Sequence, residues 1–201
     1  MHSLTRREAL GAAAAVLGLS QLAGPVGAAE EFNTFYGKAA SASSYGGYGG
    51  NAGTNTEAEY VYDVPAGWKE RVISKVEKGT NGTDSEWYNP ANKKEKIYTT
   101  YLGGFRKLGP KENIINDLAL SDVKIQDALG SADNFDQRER KDDAGQLYYD
   151  YEIDNPGSGH TLITVTVARN KLYAVFVMAP NAAWNKDEKM LRRMWSSFRT
   201  I

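Results

Sequence analysis

Residues 160–178 read HTLITVTVARNKLYAVFVM, and this stretch decides the fold of the chain. Over its first ten residues, isoleucine and valine alternate with threonine, which is the period-two pattern of a β-strand. Asn170 and Lys171 predict a turn. Residues 172–178 form a nearly continuous apolar run of the kind found in central strands. The stretch therefore predicts an antiparallel hairpin at the centre of a sheet.

Shorter strand patterns precede this hairpin along the chain. They combine β-branched and aromatic residues and are separated by Gly-, Pro- and Asn-containing turns, which favours antiparallel neighbours. Residues 79–83 are interpreted as a loop between two of them. About six antiparallel strands are expected in all. Besides the hairpin, the predicted strands cover residues 60–62, 71–76, 86–88, 97–105 and 146–153.

Helical patterns occur in two places. One helix is predicted to start at Pro110, and a second short helix follows and ends at Gly130, since apolar residues recur at helical spacing in both. A third helix is predicted after Pro180, with Asn185 and Glu188 as a capping box. The fold class is therefore α+β, with an antiparallel sheet of about six strands flanked by helices in a sandwich.

Composition excludes several classes of function. The chain has 201 residues, which is the length of one domain with a short additional segment. It contains no cysteine, so disulfides, thiol catalysis and thiolate metal sites are excluded. Its net charge of -1 gives no indication of binding to nucleic acid or to an anionic membrane surface.

Residues 1–28 have the pattern of an export signal. Arg6 and Arg7 precede a short apolar run rich in alanine, and small residues lead up to Ala28. The paired arginines predict a twin-arginine signal that is cleaved after Ala28. A general secretory signal and an N-terminal helix of the mature fold are the alternatives.

The composition changes again after the predicted signal. Residues 29–56 are rich in Gly, Ser and Tyr, and such a segment buries too little surface to offset the entropy lost on ordering. We interpret it as a flexible arm. The folded domain is expected to cover residues 57–201.

A search for reactive groups finds no catalytic set in the sequence. Signal cleavage would leave His160 as the only histidine, and no nucleophile motif accompanies it, so the protein is predicted not to be an enzyme. His160 is interpreted either as a solvent-facing residue at a strand end or as a metal ligand or docking contact. Asp150, Glu152 and Asp154 alternate along one strand and are interpreted as a solvated face, with a weak cation site as the alternative.

Two groups of basic residues are candidates for docking on an acidic surface. Lys93, Lys94 and Lys96 follow a predicted turn, and Lys186 and Lys189 lie in the last predicted helix. Such groups more often serve solubility. The alternative is docking, which would depend strongly on salt concentration.

Several segments together resemble the PsbP family, and their order and spacing carry the resemblance more than any one of them does. The resemblance covers residues 60–201 and is strongest in the C-terminal part. The segments are VPAGW at 64–68, GQLYY at 145–149, HTLITVTV at 160–167 followed by NKLY at 170–173, and Trp184 with SSF at 196–198.

The resemblance implies an antiparallel sheet sandwiched by helices, a location in the chloroplast thylakoid lumen, and peripheral attachment to photosynthetic complexes. Family members include the extrinsic subunit of the oxygen-evolving complex of photosystem II, which promotes calcium and chloride retention. Others resemble assembly or repair factors of photosystem II or photosystem I, or subunits of a chloroplast NADH-dehydrogenase-like complex. We therefore expect a non-catalytic extrinsic protein that docks on the lumenal face of a photosystem, with photosystem II as first choice. A role at one of the other complexes, or a lumenal calcium- or small-ligand-binding module, is the alternative.

The resemblance also suggests a metal site. A histidine and an aspartate that are associated with metal binding in the oxygen-evolving subunit match His160 and Asn181 here. Calcium is the cofactor that the resemblance suggests, although a neutral amide is a weaker ligand than a carboxylate. The arm of that subunit bears lysines, whereas residues 29–56 contain only Lys38. These differences indicate a PsbP-domain relative rather than that subunit itself.

Overall fold

The computed structural model describes residues 31–39 and 58–201 of the chain. Within these ranges the chain forms ten strands and four helices. The strands are β1 (Phe32–Gly37), β2 (Tyr60–Pro65), β3 (Lys69–Glu70), β4 (Thr83–Asn89), β5 (Asn92–Gly103), β6 (Asn134–Lys141), β7 (Leu147–Asn155), β8 (Gly159–Ala168), β9 (Lys171–Ala179) and β10 (Arg199–Thr200). The helices are α1 (Lys75–Asn81), α2 (Lys111–Ser121), α3 (Val123–Gly130) and α4 (Asn181–Ser197).

The predicted hairpin of residues 160–178 is confirmed and lies in the middle of a seven-stranded antiparallel sheet. The strand order of this sheet is β3-β4-β5-β9-β8-β7-β6. A two-residue turn joins β8 to β9 at Arg169 and Asn170, one residue earlier than predicted, and their φ angles are 50° and 60°. Two left-handed residues in succession match the right-handed twist of the flanking strands. The turn therefore fixes the register of the two central strands.

A three-stranded antiparallel sheet, in the order β1-β2-β10, covers one face of the large sheet together with α4. Tyr60 and Tyr62 of β2 are fully buried, and their stacked rings are 6.0 Å apart between centroids. Leu191 and Trp195 of α4 belong to the same apolar cluster as Val175 of β9. These large side chains exclude water from this face of the central hairpin.

The opposite face of the large sheet is covered by α2 and α3. Ile115 of α2 and Ile125 of α3 share an apolar cluster with Tyr151 and Ile163 of the sheet. Leu162, the neighbour of Ile163, belongs to the cluster on the first face, as the alternation of a strand requires. The α+β sandwich with helices on both faces is confirmed, although residues 31–39 and 58–201 contain ten strands in two sheets rather than about six in one. In the described part of the chain, no helix is both long enough and apolar enough to cross a membrane.

The predicted flexible arm, residues 29–56, is wrong for residues 31–39, which include β1. Phe35 of β1 is buried, and its ring centroid lies 5.1 Å from that of Tyr62. Backbone pairing with β2 along the whole strand, together with this aromatic burial, offsets the ordering entropy on which the prediction rested. The predicted signal at residues 1–28 and the rest of the arm lie outside the described residues.

Residues 71–76, predicted as a strand, lead into α1 instead. The hydroxyl of Ser74 accepts a hydrogen bond from the Glu77 N–H at 3.1 Å, and the Glu77 carboxylate accepts one from the Ser74 N–H at 3.3 Å. This reciprocal pair is a Ser-x-x-Glu capping box, a helix-start signal that the strand interpretation overlooked. Residues 79–83, predicted as a loop, complete α1 and begin β4.

The edge strand β6 was not predicted. It reads NFDQRERK and lies at the edge of the large sheet, where polar residues occur on both faces, so the alternation of apolar and polar residues that identifies a strand is absent.

The start of α4 also differs from the prediction. The helix begins at Asn181, directly after Pro180, rather than at the predicted cap Asn185. The carbonyl of Pro180 accepts a hydrogen bond from the Trp184 N–H at 2.9 Å, which closes the first turn. Asn181 and Trp184 are therefore placed close to the end of the central hairpin.

A buried ion pair joins α1, β4 and the N-terminal strand. The ammonium of Lys78 in α1 lies 3.3 Å from the carboxylate of Asp84 in β4, and both side chains are buried. Asp84 also accepts hydrogen bonds from the Tyr60 hydroxyl at 2.6 Å and from the Ala39 N–H at 3.2 Å. Burial raises the pKa of Asp84, and the hydrogen bond from Tyr60 and the charge of Lys78 oppose that rise. The network ties residues 31–39 to the large sheet.

Replacement of Asp84 by alanine is expected to destabilise the fold by about 3–5 kcal/mol, because it leaves the buried Lys78 ammonium without this carboxylate. Tyr60→Phe removes the hydrogen bond to Asp84 and a second one shared with the Ser85 hydroxyl at 2.8 Å, and should cost at least about 1.5–3 kcal/mol. As a control, Glu188→Ala removes a more exposed ion pair with Arg192 and should cost less than about 1 kcal/mol. Urea unfolding measures all three, and equal costs for Asp84→Ala and the control would contradict the prediction.

Candidate functional site

The corner where β8 begins brings together the residues predicted to bind metal. Gly159 has a φ of 100°, and a Cβ at this position would lie 2.2 Å from the carbonyl oxygen of Ala179, so only glycine fits there. The next residue, His160, pairs with Ala179 across the hairpin. Its ring stacks on Trp184 of α4, with 4.1 Å between centroids and an interplanar angle of 5°.

His160 is largely buried and has one polar partner in the described structure. Its Nε2 lies 3.1 Å from Oδ1 of Asp154 on β7. Its Nδ1 is buried without a hydrogen-bond partner. Burial lowers the pKa of His160, while the nearby carboxylates of Asp154 and Glu152 oppose that shift. The interpretation of His160 as a solvent-facing strand-end residue is therefore wrong, because its side chain is only 14% exposed.

Asn181 lies at the same corner, in the first turn of α4. Its side-chain N–H donates to the carbonyl oxygen of Pro156, in the turn that precedes β8, at 3.0 Å. Its Oδ1 is buried and has no donor in the described structure. With Nε2 of His160 donating to Asp154, Nδ1 carries a free lone pair. The corner thus holds two buried acceptor atoms that a bound water or cation could satisfy.

The acidic residues of β7 do not form the solvated face that was predicted. Asp150 is 3% exposed and accepts hydrogen bonds from Thr164 at 2.6 Å and from Arg140 at 2.9 Å. Glu152 accepts a hydrogen bond from Arg192 of α4 at 2.9 Å, and Asp154 pairs with the histidine described above. Each carboxylate already has a protein partner. No group of three or more His, Asp or Glu residues that could hold a metal occurs within residues 31–39 and 58–201.

Four of the five predicted docking lysines lie on two adjoining elements. Lys93 and Lys94 are exposed at the turn end of the β4–β5 hairpin, and Lys186 and Lys189 are exposed on α4. The two elements meet where the side chain of Glu95 adjoins α4 next to Lys186. We call these four residues the lysine surface.

The fifth predicted lysine, Lys96, lies apart from the lysine surface. Its ammonium is 3.8 Å from Glu86 and sits 5.2 Å from the ring centroid of Tyr98. Because its side chain is 24% exposed and paired, Lys96 is a weaker docking candidate than the other four.

A groove of about 710 Å³ on the large sheet was not found by sequence reasoning. It lies beside α2 and α3, where β4, β5 and β9 form the floor, and α1 closes the other side. Tyr98 and Phe176 stack in its floor with 4.6 Å between centroids. Exposed Leu102 and Val123 line its walls. No sequence motif indicates the groove, because its residues come from six separate elements. The exposed apolar residues in its walls are recognised only from the structure.

His160 is expected to titrate in solution with a midpoint below about 6.5, because burial against Trp184 disfavours the charged imidazolium. NMR titration of the imidazole measures this midpoint. Asp154→Asn should lower it further, because a carboxylate that favours the charged ring is lost. Trp184→Ala should raise it by exposing the ring. A midpoint at or above the ordinary value in the unmodified protein would contradict the burial described here.

Comparisons with known proteins agree with the fold and identify the family. The PsbP family model matches residues 51–200. The chain is 58% identical over 172 residues to the thylakoid lumenal 19 kDa protein, chloroplastic, of Arabidopsis thaliana, covering 86% of this chain and 75% of that protein. It is 27% identical over 167 residues to PsbP domain-containing protein 4, chloroplastic, also from Arabidopsis thaliana, covering 78% of this chain and 60% of that protein.

The solution structure of cyanobacterial PsbP (CyanoP) from Synechocystis sp. PCC 6803 has a similar fold, with a TM-score of 0.55. At 19% sequence identity, the match covers 89% of this chain and 96% of that one, and it concerns the fold alone. The family match extends over most of the described residues and includes the hairpin from which the resemblance was first identified. The chain belongs to the PsbP family.

Proposed function

We propose that this protein is a non-catalytic extrinsic protein of the chloroplast thylakoid lumen that docks on a photosynthetic membrane complex, with photosystem II as the first partner. The observation that carries the proposal is the lysine surface. Its four ammonium groups project from a hairpin and a helix, and the one carboxylate within 4 Å of them in the described structure is Asp187, 3.9 Å from Lys186. A group of exposed lysines with little internal neutralisation is complementary to an acidic surface.

The lumenal setting is supported by family membership and by the name of one relative. The protein that is 58% identical is named as a thylakoid lumenal protein of the chloroplast. This protein works in the same compartment, peripheral to the membrane.

The choice of partner rests on the PsbP resemblance. Photosystem II is the first choice because the family includes its extrinsic oxygen-evolving subunit, and support of that complex, its assembly or its repair are the roles that follow. Photosystem I and an NADH-dehydrogenase-like complex are the other partners that an experiment must distinguish. Docking itself requires only the complementary surface.

Reversal of the lysine surface, with glutamate at residues 93, 94, 186 and 189, is expected to weaken binding to thylakoid membranes at least tenfold at low salt. Each reversal replaces attraction to an acidic surface by repulsion. The measurement is co-sedimentation of the tagged, signal-free protein with washed thylakoids at low and high salt, followed by mass spectrometry of the recovered complexes. Binding of the unmodified protein should fall at high salt, because exposed charges are screened.

A matched control carries the same change in charge away from the lysine surface, with glutamate in place of exposed Lys75, Lys107, Lys124 and Lys141. This control should bind like the unmodified protein. Equal losses in both variants would show a non-specific charge effect and contradict docking through the lysine surface. Recovery of photosystem I or dehydrogenase subunits instead of photosystem II would contradict the choice of partner but leave docking in place.

Cation binding at the corner of His160 and Asn181 is a second candidate function. It is favoured by the two buried acceptor atoms, Nδ1 of His160 and Oδ1 of Asn181, that lack a donor in the described structure. A mixed set of one imidazole nitrogen and one amide oxygen suits Mn²⁺ or Zn²⁺ better than Ca²⁺, which prefers oxygen ligands. Two protein ligands are few, so waters would complete the coordination.

Titration calorimetry with Mn²⁺, Zn²⁺ and Ca²⁺ tests this second candidate. We expect measurable heat with Mn²⁺ or Zn²⁺ that is lost in His160→Ala. Asn181→Asp should tighten binding at least tenfold, because a carboxylate replaces a neutral amide. No heat with any ion, in either the unmodified protein or Asn181→Asp, would remove this function.

A further inference from the structure

A buried carboxyl group lies where the β4–β5 hairpin meets α4. Glu95 of β5 is 1% exposed. Its Oε2 accepts a hydrogen bond from the side-chain amide of Asn89 on β4 at 2.7 Å. Its Oε1 is buried and receives no hydrogen bond from any donor in the described structure. Because an unsatisfied buried carboxylate oxygen is costly, this position calls for a proton or another donor.

The group that adjoins the Glu95 side chain is a second carboxyl. The side chain of Asp187 on α4 is within hydrogen-bonding reach of Glu95. The other charged group facing Glu95 is Lys186, also on α4, and β4 contributes the neutral amide of Asn89. Lys186 is 82% exposed and 3.9 Å from Asp187, so solvent screens its charge. Glu95 therefore faces another acceptor rather than a donor.

Two ionised carboxylates cannot hydrogen-bond to each other, because neither carries a hydrogen. A protonated Glu95, by contrast, can donate its O–H to the carboxylate of Asp187 in a charge-assisted hydrogen bond. Paired carboxyl groups in proteins commonly retain one proton for this reason. We propose that one proton shared between Glu95 and Asp187 holds the β4–β5 hairpin against α4, and that its loss loosens this contact.

The effect of pH has a definite sign. Burial is the main cause that raises the pKa of Glu95 above its ordinary value, and the neighbouring charge of Asp187 raises it further. A carboxyl group with a higher pKa in the folded protein than in the unfolded chain contributes stability that is fully present below the unfolded value. That contribution is lost as the pH rises through the folded value. The contact between hairpin and helix is therefore tightest in acid and weakens toward alkaline pH.

The shared proton lies between the two elements that carry the lysine surface. Lys93 and Lys94 precede Glu95 on the hairpin, and Lys186 and Lys189 flank Asp187 on α4. Loosening the contact would separate the two pairs of ammonium groups, so docking would be stronger at acidic than at alkaline pH. This consequence rests on the proposed docking function, whereas the shared proton itself does not.

The first test is the pH dependence of stability in Glu95→Gln. Glutamine has nearly the same shape as the protonated acid, and its amide can donate to Asp187 at every pH. We expect the variant to melt at a higher temperature than the unmodified protein at pH 8, by about 3–5 °C for each unit by which the pKa of Glu95 is raised. At pH 4 the two should melt within about 1 °C of each other. Asp127→Asn, an exposed carboxyl on α3, is the control and should show no such pH-dependent gain.

Carbon NMR titration of the Glu95 carboxyl gives a second, independent readout. A midpoint clearly above about 4.3, which returns toward that value in Asp187→Asn, supports the shared proton. A midpoint at or below the ordinary value, or a Glu95→Gln effect of the same size at pH 4 and pH 8, would overturn it. Thylakoid binding at pH 6 and pH 8 then separates the two proposals. If the protein never binds while the titration behaves as expected, the docking function fails and the shared proton stands.

Discussion

Strands β8 and β9 carry apolar side chains on both faces, so each face of the large sheet must be covered by another layer. One layer is α4 with the three-stranded sheet, and the other is α2 with α3. Burial of the central hairpin on both sides supplies much of the hydrophobic driving force for folding. It also determines which outer elements become neighbours. The candidate sites at the corner of His160 and at the lysine surface are consequences of where α4 has to lie.

The parts of the fold that could be predicted from the sequence have either a clear hydrophobic period or residues that mark where an element starts or ends. The hairpin of residues 160–178 alternates clearly, and Pro110 and Gly130 bracket the α2–α3 pair. β6 was not predicted because an edge strand with polar residues on both faces has no hydrophobic period. β1 was not predicted because the burial of Phe35 depends on the aromatic rings of β2, which are distant in the sequence. Tertiary contacts of this kind override local composition.

The candidate sites show the same division. The lysines and His160 could be selected from the sequence by residue type. That the two elements carrying these lysines would adjoin, and that the imidazole would stack on Trp184, follows from the packing of α4. Asp150 was misread because its partners, Arg140 and Thr164, lie on other strands. Spacing along one strand indicates which face a residue shares, but it gives no information about what covers that face.

The position of β2 in the small sheet has a consequence for how the chain folds during synthesis. β2 pairs with β1 on one side and with β10 on the other, so its sheet joins segments from opposite ends of the described sequence. Such distant contacts carry a large loop-closure cost and form slowly. The buried rings of Tyr60 and Tyr62 cannot be fully enclosed until the ribosome has released Arg199 and Thr200. Before that point the nascent chain exposes an aromatic surface and depends on protection from aggregation.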